Sequence, residues 1–209
     1  MIEQPITEEA LLELLATVRI VGFEEAARGQ LEQALFLWFH KDDPSVISDA
    51  SAIHTLAVAV QGVLWTYAHE SRQRPSTLRQ KIENLPAEQY ANIVDSQNFL
   101  KHGGTGRKEE KGKRKAVSHL PGLTNFFLAD NVCTFNRLFM RSSGLQDTFL
   151  LRYSLSFPAT KIRLKTLEVK LISSGHALEA ISALDRKTFY EFVNPYAVAN
   201  LHEQRPSNL

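Results

Sequence analysis

Apolar side chains recur at steps of three and four through most of the chain, the period of an α-helix with one face turned inward. The clearest case is 23–40, where Phe23, Ala27, Leu31, Ala34 and Trp38 form a stripe and Glu24, Glu25, Arg28 and Glu32 fall opposite. The same period places Ile53, Leu56, Ala57, Val60, Leu64 and Tyr67 on one face of 48–70, with His54, Gln61 and Trp65 on its flank. Ahead of these, Thr7 caps a predicted helix over 8–20, with acids in its first turn and Gly22 at its end. After a charged break at 70–75, Ser76 opens a short helix through 82. Leu85-Pro86 then opens a longer one over 87–102, which Gly103-Gly104 terminates.

The segment 123–140 differs in kind. Phe126, Phe127, Leu128, Val132, Cys133, Phe135, Leu138 and Phe139 occupy nearly its whole circumference, which places it at the centre of a bundle. Asp130 is the exception, and an acid there is expected to pair with Arg or His from a neighbouring helix. Helices follow over 145–157, stopped by Pro158, over 161–183, and over 186–198 with a break at Asn194-Pro195. No segment alternates with period two between turn signals. The expectation is an all-α, up-down helical bundle of seven to nine helices with extra C-terminal helices. Its parts are an N-terminal helix (1–20), a bundle (21–157) with a basic loop at 103–120, and a C-terminal helical extension (158–209).

Composition narrows the class without naming a function. With 44% apolar and 22% charged residues in 209, the chain reads as an ordinary globular domain. A formal charge of +1 makes no global electrostatic claim on nucleic acid or membrane, so any such claim is local. The one cysteine, Cys133, leaves no intrachain disulfide or cysteine-cluster metal site and fits a reducing compartment. No apolar run approaches the ~20 residues that span a bilayer. The N-terminus has no basic n-region, so no secretory signal is read there, and a cytoplasmic protein is expected.

Candidate chemistry concentrates at one helix end. Gln97, Asn98, Lys101 and His102 crowd into the last turn and a half of 87–102, with Asn98 and His102 four apart on one face. Gln97 continues the inward row of Tyr90, Ile93 and Val94, so its amide needs a partner. Arg107, Lys108, Lys111, Lys113, Arg114 and Lys115 follow at once, a cationic run suited to a phosphate backbone by counterion release. That run carries no interleaved aromatics for base stacking. Gly103-Gly104-Thr105-Gly106-Arg107-Lys108 is not a Walker loop: the spacing fails, no Ser or Thr follows the Lys, and a helix precedes it instead of a strand. Seven histidines without ligand spacing, and no HExxH, leave no metal or other cofactor to expect.

Ala52-Ile53-His54-Thr55-Leu56 and Asn98-Phe99-Leu100-Lys101-His102 resemble stretches of a group of uncharacterised bacterial helical proteins, and more distantly the HEPN superfamily. The likeness covers about 21–157 through a short motif. That superfamily comprises helical bundles, commonly dimeric, whose active members are ribonucleases with an Arg, often an Asn after it, and a His four to six residues beyond the Arg. Carried over, the resemblance implies a HEPN-like bundle binding RNA or a nucleotide phosphate, with weak metal-independent cleavage of the toxin or phage-defence type. His102 would be the acid or base, Asn98 its orienting partner, and Gln97 stands where the Arg would be. Lys101 and the 107–115 cations would bind phosphate, His54 and Asp130 would support the site, and a homodimer would form through 87–102 and 48–70. The alternative from another class is a catalytically silent dimerisation or protein-interaction module, of which Gln97 would be the mark. The bland readings are a helix end whose last carbonyls Lys101 and His102 complete, and a solvated basic loop.

Overall fold

The computed structural model describes residues 22–43, 50–73, 86, 121–160 and 164–204. Among these it is entirely helical: α1 (Phe23–Phe39), α2 (Ala50–Glu70), α3 (Pro121–Phe139), α4 (Gly144–Ser156), a 3-10 turn (Pro158–Thr160), α5 (Lys165–Ser173), α6 (Leu178–Ser182) and α7 (Arg186–Gln204). The all-α expectation holds. The helices predicted over 8–20, 76–82 and 87–102, and the loop 103–120, lie outside the described residues.

The first three helices pack mutually: α1 lies against α2, α2 against α3, and α1 also touches α3. Local chemistry supports α1, where Glu24 and Glu25 complement the helix dipole and Glu24 pairs with Arg28 one turn on. Its buried set is Ala27, Leu31, Ala34, Leu35, Trp38 and Phe39, the predicted stripe without its first member and with Leu35 and Phe39 added. Phe23 sits at the edge, half-exposed against the Tyr67 ring. In α3 Phe127, Leu128, Val132 and Phe135 are buried on one side, whereas Phe126, Cys133 and Phe139 are only partly buried, so the helix is less enclosed than its apolar circumference predicts.

Helix α4 joins this unit to the C-terminal helices. Ser143 caps it, its hydroxyl accepting from the Gln146 backbone N–H at 3.3 Å. Gly144, Gln146, Asp147, Thr148, Phe149, Leu150, Leu151 and Ser154 are all buried, so α4 is enclosed on more than one face. It touches α1 and α3 on one side and packs closely on α7 on the other. Phe149 meets Trp38 edge-to-face at 4.9 Å, completing an aromatic cluster with Phe39 and Tyr190.

Two expectations for the C-terminal third are corrected. One helix was expected over 161–183; the structure has α5 and α6, separated by Gly175 at φ +84. The Gly175 N–H donates to the Ile172 carbonyl and the His176 N–H to Leu171, a Schellman termination that glycine permits without strain. A break was expected at Asn194-Pro195, yet α7 runs through Pro195. An interior proline costs about 3 kcal/mol. Burial of Phe189, Val193 and Ala197, at about 1.5–3 kcal/mol for each large side chain, outweighs it.

The contact between α4 and α7 is close enough to demand a missing side chain. A Cβ on Gly144 would collide with Val198 Cγ2 and stand 3.2 Å from the Val198 backbone nitrogen. Gly144→Ala is therefore expected to destabilise the protein by about 1–3 kcal/mol through overpacking. Urea unfolding checks this; an unchanged midpoint would mean that α7 yields freely.

Candidate functional site

Of the residues singled out in the sequence, Gln97, Asn98, Lys101, His102, Arg107, Lys108, Lys111, Lys113, Arg114 and Lys115 lie outside the described residues. His54 and Asp130 lie within them. His54 is 1% exposed on α2, its Nδ1 2.8 Å from Thr124 Oγ1 on α3 and its ring 5.5 Å from that of Phe127. Two turns along α3, Asn131 Nδ2 donates to the Ala57 carbonyl at 2.6 Å. Gln61, Asp130 and Thr134 are buried in the same pair of helices. The His54–Thr124 and Asn131–Ala57 bonds fix the register of α2 against α3, since a slip by one turn would bury these groups away from their partners. Asp130 also acts on Cys133: burial first, then the Asp130 charge, pushes the thiol up to about 11, and Arg137 opposes them. The thiol is thus protonated and a poor nucleophile at neutral pH.

A second arrangement was not singled out in the sequence. Arg28 and Glu32 from α1, Phe135 from α3, the 141–143 connector, the first turn of α4 and the last turns of α7 line a cavity of about 250 Å³ that opens to solvent. Two arginines face it, one from each end of the N-terminal unit. Glu24 fastens both, accepting from Arg28 and from Arg141 Nη1 at 3.3 Å. Each guanidinium has five N–H donors in a fork, so a single carboxylate does not exhaust either. His202, in the last turn of α7, closes the rim.

The wall of the cavity is held by hydrogen bonds. Asn136 Nδ2 donates to Ser142 Oγ at 3.2 Å, and the Ser142 hydroxyl donates to Asp147 Oδ1 at 2.5 Å. Thr148 Oγ1 donates back to the Gly144 carbonyl at 2.6 Å. Gln146 breaks the pattern. It is fully buried beside the cavity, and neither its amide nitrogen nor its amide oxygen has a hydrogen-bond partner. Such an orphaned polar group costs about 1–3 kcal/mol. Sequence reasoning passed over this site because its parts stand at 28–32, 135–146 and 198–202, and Arg141-Ser142-Ser143-Gly144 reads locally as a helix end and cap.

At another place on the surface, Arg186 lies 4.3 Å above the Trp38 ring and its Nη1 donates to the Trp38 carbonyl at 3.4 Å. Trp38 Nε1 in turn donates to Asn125 Oδ1 at 2.7 Å. The adjoining hollow of about 300 Å³ carries Asp42, Asp43, Asp185 and Lys187. Lys187 pairs with Asp43 at 2.8 Å and Asp185 caps α7 through Thr188, so these charges secure the helix start. Among the described residues no group of three or more His, Cys, Asp or Glu is placed to hold a metal ion. Among the same residues, no helix is long and apolar enough to cross a membrane.

Comparison with known protein families, with characterised proteins and with solved structures gives no match.

The wall carries a pH signature. Burial raises the Asp147 carboxyl above its ordinary 3.8, and the Ser142 hydroxyl partly offsets this. A folded carboxyl that binds its proton more tightly favours folding at acid pH. That contribution is lost as pH rises from the unfolded value through the folded one. Asp147→Asn keeps an acceptor for Ser142 without the proton equilibrium. Its stability relative to the parent is therefore expected to increase between about pH 3 and about pH 7. Urea midpoints at the two pH values test it, and a pH-independent difference would mean that burial leaves this carboxyl unaffected.

Proposed function

We propose that this protein is a HEPN-like RNA- or nucleotide-phosphate-binding protein, with slow metal-independent ribonuclease chemistry centred on His102. The observation that carries the reading is the motif itself: Asn98 and His102 at helical spacing, followed within thirteen residues of His102 by six cations, in an all-α chain. RNA brings its own nucleophile, the 2′-hydroxyl, so the protein need supply only proton transfer and charge. An imidazole near a helix C-terminus is favoured in its protonated form, as leaving-group protonation requires. Asn98 would orient the ring or bind phosphate. Lys101 and the cations from Arg107 to Lys115 would hold the backbone at a salt-dependent affinity.

In this reading His54 acts at a distance: buried against Thr124, it sets α2 on α3 and touches no ligand. A homodimer through 87–102 and 48–70 completes the proposal, with roughly 1,200 Å² or more buried in total. Solution mass measurement at micromolar concentration decides that part, and a monomer alone would remove it. The second reading, a silent dimerisation or interaction module, is favoured by one observation: Gln97 supplies a neutral dipole where the motif has a cation.

The test is turnover of RNA by the purified chain in chelator. His102→Ala is expected to abolish it, whereas Gln97→Arg is expected to raise it roughly 10²- to 10³-fold with a much smaller change in RNA affinity. Equal background in the parent and in His102→Ala would establish the silent module instead.

A further inference from the structure

The geometry points to a binding site for a small sugar phosphate in the cavity walled by Arg28, Arg141, Glu32 and Gln146, a site that shares no residue with 97–115. The division of chemistry around the cavity selects the ligand. Arg28 and Arg141 come from separate elements and are drawn to one place by Glu24, leaving unused donors on both forks. Converging guanidiniums suit a phosphate monoester, whose oxygens accept two donors at once. A cavity of about 250 Å³ leaves room for a stem beyond the phosphate. Glu32 at the wall accepts hydrogen bonds, and the Gln146 amide, which has no accessible surface at rest, can donate and accept once its side chain turns into the hollow. Hydroxyl groups match both, while an apolar stem would leave them unmet. Gln146 adds a second observation: it is the residue at the hollow whose buried amide has no protein partner for either atom.

The experiment is calorimetric titration of the full chain with ribose 5-phosphate, inorganic phosphate and ribose. Ribose 5-phosphate is expected to bind, inorganic phosphate more weakly, and ribose not measurably at about 10 mM. Arg141→Gln is expected to weaken ribose 5-phosphate at least about tenfold without moving the urea midpoint. Arg141 is 63% exposed and its ion pair is with Glu24, so its loss leaves the fold intact. Gln146→Leu should raise the melting temperature of the unliganded protein while weakening the ligand, because it removes the idle amide. No heat from ribose 5-phosphate at about 10 mM, or equal affinity in Arg141→Gln, overturns the proposal. Equal affinity for ribose or for inorganic phosphate overturns it too, since the site would then lack either its phosphate contact or its stem.

Discussion

The enclosure of α4 is the constraint on which the rest depends. A helix exposed on one side can leave its polar residues to water, but α4 has buried neighbours around it and must satisfy Asp147 and Thr148 within the protein. Those two residues dictate what surrounds them. Ser142 must stand where it donates to Asp147, which fixes the 141–143 connector. Gly144 must lack a side chain, which lets α7 approach. The first turn of α4 thereby becomes both the hinge of the architecture and the floor of a polar hollow.

Energetically, the molecule relies on buried polar groups as much as on its aromatic core. The aromatic faces of Trp38, Phe39 and Phe149 supply attraction without direction, and several helix registers would bury them comparably. The hydrogen bonds from Asn131 to Ala57 and between His54 and Thr124 discriminate among those registers, because each misplacement strands a donor or an acceptor. Gln146 departs from this economy at both amide atoms, and Gln30, Thr134 and Asn136 each do so at one oxygen.

Among the described residues, α1 to α4 were legible from local pattern and terminator. The bounds of α1 to α4 fall within about three residues of the periodic segments, and Asp130 stood out as an acid in an apolar helix before its burial was known. Two features of the C-terminal third resisted for physical reasons. Leu164, Leu167, Leu171, Leu178 and Ile181 keep helical spacing across the turn at Gly175, so periodicity hides the break between α5 and α6. Pro195 gives a strong local signal to stop, but the buried face of α7 overrides it, and propensity contains no account of that packing. The polar cavity was illegible for a third reason. Its arginines are separated by over a hundred positions, and only the fold makes them neighbours. The Gln97–His102 stretch is contiguous in sequence and lies outside the described residues.

The stacking of Arg186 on Trp38 has a consequence for the protein's synthesis. The two residues are 148 positions apart. At about 5–20 residues per second a ribosome needs roughly 7–30 s to travel between them. For that interval the part of the α1 aromatic face that Arg186 and Tyr190 cover stays open, because α7 does not yet exist. That side is available to chaperones or to other nascent chains until the C-terminal helix arrives and shuts it.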